Sequence, residues 1–218
     1  MNSPRNLAEA IEASLLSPQI TPDEARGRLA TWMTSGIRKV VAPPFLLQEL
    51  GPEGYPDVAF TGAVSFPSGC STLASKRMEL LECLRLGAKA ATVVLTPAYV
   101  ADRKVALLEK EMGALATTAP ELQLRFLVDI SRCNEEALTV LLRVLKLAKP
   151  AFLVAADGVY SPAATPDAVR WLKARLPRRV RIEAGAAVRD RALAFAYLEA
   201  GADLVLSDSP ELLLEETP

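Results

Sequence analysis

The sequence predicts a parallel (β/α)8 TIM barrel, with residues 1–218 forming one domain. Three observations carry that expectation. Short apolar runs alternate with longer segments of helical period, and several runs are nearly continuous Val, Leu, Ala and Phe, as in parallel strands covered on both faces. Leu86-Gly87-Ala88 before Ala90–Leu95 is echoed by Ala200-Gly201-Ala202 before Leu204–Ser207, each a helix ending on glycine and turning at once into a buried strand. No G-x-G-x-x-G follows the first clear strand, which argues against an open dinucleotide-binding sheet.

Element by element, strands are expected at Lys39–Ala42, Val58–Ser65, Ala90–Thr96, Leu122–Ile130, Ala151–Ala155, Val180–Ala184 and Leu204–Ser207. The short Ile11–Leu15 segment supplies the eighth. Helix starts are equally legible. Thr21-Pro22-Asp23-Glu24 is a capping box with proline at the first helical position, and Gly36 closes that helix. Thr165-Pro166-Asp167 opens another helix in the same manner. Asn134-Glu135-Glu136 caps a third and sets carboxylates at its positive end.

Composition narrows the chemistry. There are 25 basic and 26 acidic residues, so no basic field marks a nucleic-acid or membrane partner. Neither a signal peptide nor a membrane span is evident, and Cys70, Cys83 and Cys133 form no CxxC, which fits structural thiols in a cytoplasmic protein. The chain has 0 histidines. That excludes Ser-His-Asp and Cys-His catalysis and His-ligated zinc. No metal or cofactor is expected.

Several motifs in order along the chain carry a resemblance. Ser65-Phe66-Pro67-Ser68-Gly69 stands where a family has G-F-P-x-G, and it runs without a gap through Lys76 and Glu79 to Gly87-Ala88. Ile11-Glu12-Ala13-Ser14-Leu15-Leu16 matches I-D-H-T-L-L. Asp157-Gly158 followed by Ala163-Ala164-Thr165 matches T-G-F-S-T-G-G-A-T, and Leu198-Glu199-Ala200-Gly201-Ala202 matches I-E-A-G-A. From about Ile11 to Pro210 the chain resembles the deoxyribose-phosphate aldolase (DeoC) family, which implies a class I aldolase-like barrel. In that family one lysine forms a Schiff base with an aldehyde, a second lowers the first one's pKa, and an aspartate supports proton transfer.

The resemblance places the nucleophilic lysine on Val154, the second lysine on Glu183 and the aspartate on Thr92. Flanking motifs hold the alignment at each site. The family's phosphate loops fall on Glu183-Ala184-Gly185-Ala186-Ala187-Val188 and Leu206-Ser207-Asp208-Ser209-Pro210. Ala186 and Ala187 replace glycines that let backbone approach the phosphate. Asp208 adds a like charge; at an effective dielectric of ~20, two unit charges ~4 Å apart repel by roughly 4 kcal/mol. Gly185, Ala186, Ala187, Ser207, Asp208 and Ser209 thus read as a degenerate phosphate site.

The strand C-terminal ends, where such barrels carry their sites, should present Glu12, Ser65, Thr96, Asp129, Asp157, Glu183 and Asp208. Glu12, Ser14, Asp129, Asp157 and Glu183 are the candidate pocket. Lys76 is expected to pair with Glu79 or with a carboxylate at the rim. Three functions compete. The favoured reading is a pseudoenzyme, a DeoC-like barrel kept for binding, regulation or assembly, with a small-molecule ligand, a second copy or a protein as partner. The alternatives are altered lyase or isomerase chemistry using the mouth carboxylates, and an aldolase with a displaced lysine.

Overall fold

The computed structural model describes residues 7–155, 164–185 and 187–215. Eight strands close into a barrel in chain order: β1 (Ile11–Ser14), β2 (Lys39–Ala42), β3 (Ala59–Val64), β4 (Ala90–Val94), β5 (Gln123–Val128), β6 (Phe152–Ala155), β7 (Arg181–Ala184) and β8 (Leu204–Ser207). Every neighbouring pair is parallel, and β1 completes the ring by pairing with both β2 and β8. The helices are α1 (Pro22–Thr34), α2 (Pro44–Leu50), α3 (Leu73–Arg85), α4 (Pro97–Ala101), α5 (Val105–Thr118), α6 (Glu135–Ala148), α7 (Pro166–Lys173), α8 (Arg191–Glu199) and α9 (Pro210–Leu214).

The expected caps form. Thr21 accepts from the Glu24 N–H, Asn134 from Ala137 and Thr165 from Ala168. Gly36 follows α1 at φ +82°, a backbone position that favours glycine. The strand expected over Leu122–Ile130 ends at Val128, because Asp129 turns the chain into a 3-10 turn and caps it through Ser131.

Between helices and strands, Lys76 corrects one expectation. It is fully buried on the outer side of β4, not paired with Glu79. Its ammonium lies 2.6 Å from Glu111 of α5 and also donates to the Val94 carbonyl and to Thr96 Oγ1. The one-turn partner loses because Glu79 is already used. It accepts the Ser65 N–H at 2.7 Å, and Ser65 holds φ +56° where the family carries glycine.

On β3, Gly62 is pressed against α3. A Cβ there would meet the buried Cys83 Sγ at 2.3 Å and its Cβ at 2.8 Å, both closer than packed atoms tolerate. Gly62→Ala is therefore expected to lower stability by about 1–3 kcal/mol in urea unfolding, and Cys83→Ala in the same chain should recover part of the loss.

Candidate functional site in the barrel interior

Inward-facing residues of alternate strands meet in layers inside such a barrel. The layer from the odd strands is charged. Glu12 of β1, Thr61 of β3, Arg125 of β5 and Glu183 of β7 are all buried there. Arg125 Nη1 donates to Glu12 Oε2 at 2.8 Å and to Glu183 Oε2 at 3.0 Å, and Thr61 donates to Glu12 Oε1 at 2.7 Å. Two carboxylates face one guanidinium out of reach of water, so the cluster is neutral only if one carboxylate keeps a proton. Burial, reinforced by the neighbouring Glu12, holds the Glu183 carboxyl well above its ordinary range, while Arg125 acts the other way.

The next inward positions toward the strand C-terminal ends are apolar or nearly so: Val41, Thr92, Val154 and Leu206, each at least nine-tenths buried. Val41 and Leu206 of this layer cluster with Ala63, and Val154 with Val94 and Leu127, and Phe66 packs on both clusters. The ring after β3 thus packs against the cluster that contains Val154. Sequence reading quoted Phe66 only as part of a motif, although an aromatic directly after an inward-facing strand end was the available signal.

Of the predicted pocket residues, Glu12 and Glu183 meet on Arg125, whereas Ser14 and Asp129 do not join them. Glu12 and Glu183 correct the expectation that they sit at the open face: they lie in the interior, below the Val154 layer, tied to Arg125. Ser14 accepts from the Leu16 N–H. Asp129 sits at the rim, capping the 3-10 turn through the Ser131 backbone and hydroxyl. Asp157 lies outside the described residues. Near the mouth there is a cleft of about 500 Å³ between β4 and β5, with Val94 and Leu127 in its wall and Ser68, Asp129, Arg132 and Cys133 around it.

At the expected phosphate loops, Gly185 and Ala187 both hold positive φ, +82° and +49°, so alanine retains a backbone state that favours glycine. Ala186 is outside the described residues. Ser207 donates to the Val188 carbonyl and accepts from the Ser209 N–H. Asp208 is not the unopposed charge that its sequence position suggests. Arg189 clasps it with two hydrogen bonds, 3.0 and 2.6 Å, and holds its carboxyl below the ordinary range. The pair removes the repulsion but also occupies the nearest guanidinium.

The eight lysines all lie among the described residues. Lys39 starts β2 at the opposite, N-terminal mouth, and Lys76 is buried behind β4. Lys89 precedes β4, Lys104, Lys110, Lys146 and Lys173 belong to helices or their caps, and Lys149 ends α6. Among the described residues, none stands on an inward position at the height of Val154.

Fold and interior define a parallel barrel of aldolase type. No family model matches the chain. It is 25% identical to the deoxyribose-phosphate aldolase of Corynebacterium glutamicum over 215 residues, 97% of this chain and 96% of that one. With the enzyme of Aquifex aeolicus it shares 23% over 206 residues, 94% of each. Among solved structures, the QR15 aldolase superposes with TM-score 0.90 at 22% identity over 95% of this chain and 94% of its own. The tetrameric deoxyribose phosphate aldolase of Aeropyrum pernix gives 0.85 at 21% over 95% and 89%. Along nearly its whole length the chain is thus similar to deoxyribose-phosphate aldolases.

A carboxyl that stays protonated in the folded state and ionises when unfolded makes stability depend on pH. Because the folded pKa of Glu183 is raised, its contribution is complete below the ordinary glutamate value of about 4.3 and declines as pH climbs toward the folded value. Urea unfolding of the native chain should show this decline from pH ~5 upward, and Glu183→Gln should flatten it. Arg125→Gln leaves Glu12 without its cation, and a loss of about 3–5 kcal/mol is expected in the same assay.

Proposed function

We propose that this chain is a non-catalytic member of its family, a pseudoenzyme whose barrel serves binding, regulation or assembly in the cytoplasm. One observation carries the reading. Where the family's chemistry needs a neutral amine beside a second ammonium, this interior has Val154 packed in an apolar cluster with Phe66 and Glu183 hydrogen-bonded to Arg125. Among the described residues, the Val154 position is surrounded by hydrocarbon rather than by an amine.

The competing reading, altered lyase or isomerase chemistry through mouth carboxylates, has less support. Acid–base work needs a carboxylate within hydrogen-bond reach of the substrate. Glu12 and Glu183 are committed inside the barrel, and Asp208 is held by Arg189. The cleft beside Asp129 and Arg132 is where a small, largely apolar ligand would sit under the favoured reading.

The purified chain is expected to show no retro-aldol turnover of deoxyribose 5-phosphate, followed by acetaldehyde release. Borohydride should trap no stoichiometric sugar adduct. Turnover accompanied by an adduct on one lysine, both abolished by replacing that lysine, would overturn the proposal. Val154→Lys with Glu183→Lys is expected to restore no turnover, and to destabilise the barrel by about 3–5 kcal/mol by adding cations beside Arg125.

A further inference from the structure

The N-terminal mouth of the barrel, opposite the face discussed above, holds a second cavity of about 400 Å³ on the barrel axis. Its walls are the first residues of β2, β5, β6, β7 and β8 together with the turn before β1. Lys39, Arg125 and Arg181 line it, with Glu9, Gln123 and Asp203. Phe152 stacks under two of the cations: the Arg125 guanidinium lies 4.7 Å from its ring centre and that of Arg181 4.1 Å.

These cations have unused donors. Arg125 is 4% exposed, and its Nε is a buried polar atom with no hydrogen-bond partner. Such orphaned donors are rare and costly in native interiors. Among the described residues, the Arg181 side chain makes no hydrogen bond or ion pair; its contact is the Phe152 ring. The Lys39 ammonium donates to the Glu9 backbone carbonyl rather than to a carboxylate. Of the two acids in the wall, Asp203 is taken by Lys173 at 2.9 Å and by the Ile182 N–H at 3.0 Å.

We propose that this N-terminal cavity is a binding site for a small multivalent oxyanion, held by Lys39 and Arg181, with the Arg125 guanidinium adding positive charge from the wall. The chemistry that fits is a compact group bearing two or more anionic oxygens, either a phosphate group or a small polycarboxylate. Guanidinium groups match both through paired N–H donors, and the cavity is of a size for a small ligand. The site neither uses nor depends on the C-terminal mouth, so it stands whether or not the chain proves catalytic. Burial, together with the neighbouring guanidiniums, holds the Lys39 amine below its usual range against the pull of Glu12 and Glu9, and a bound anion would relieve that strain.

The test is calorimetry on the intact chain at neutral pH and low ionic strength, titrating inorganic phosphate and citrate separately, with thermal melting as a second readout. Saturable binding of one of them in the submillimolar range is expected, weakening as salt is added. Phosphate binding alone assigns a phosphate group as the ligand, and citrate binding alone a polycarboxylate. Lys39→Gln and Arg181→Gln should each weaken it by about tenfold while leaving the unliganded melting temperature close to native. Arg189→Gln, at the other mouth, should leave it unchanged. No saturable binding of either anion would overturn the proposal. So would binding that survives both Lys39→Gln and Arg181→Gln, or binding lost in Arg189→Gln instead.

Discussion

The contact on which the interior depends is the bifurcated hydrogen bond from Arg125 Nη1 to Glu12 and Glu183. It joins β5 to β1 and β7 across the barrel axis, and Thr61 adds β3 through its bond to Glu12. Four alternate strands are thereby fixed at one height by groups that cannot be solvated once the ring has closed. Charges in such a place are tolerated only when paired and hydrogen-bonded, and removing one partner strands the others. The layer therefore constrains what any of its members can become. Glu183 cannot readily give way to a lysine, because Arg125 is already there.

What lies on either side follows from that layer. Toward the strand C-terminal ends the barrel fills with Val41, Val154, Leu206, Val94 and Leu127, and Phe66 closes the stack. Toward the N-terminal ends the same Arg125 forms part of the wall of a cation-lined cavity. Among the described residues, apolar packing thus lies above the charged layer and a cation-lined cavity below it.

Strands and caps were legible in the sequence because their signals are local. Period, threonine and asparagine caps and glycine stops act within a few residues, so even the four-residue β1 could be placed from Ile11–Leu15. The pairing of charges was not, because it is decided by residues far apart in the chain. Glu12 meets Arg125 across 113 positions, and Lys76 passes over nearby Glu79 for Glu111, 35 positions on. Arg125 alternates with apolar Leu124 and Phe126, and nothing within that strand says which carboxylates await it. The lower cavity went unseen for the same reason: Lys39, Phe152 and Arg181 begin three different strands and look like ordinary strand starts.

The packing of Gly62 against Cys83 gives the protein an internal clock for its own opening. The Cys83 thiol is fully buried, and burial pushes its pKa up to about 12, so it is both unreachable and un-ionised while α3 lies on the barrel wall. Cys133 is partly shielded, with its pKa raised to about 11, and Cys70 is exposed. Thiolate is the reacting form, so an alkylating reagent meets the three sites in that reverse order of protection. The rate at which Cys83 becomes labelled therefore counts the excursions in which α3 lifts from β3, a measure of barrel breathing that needs no introduced probe.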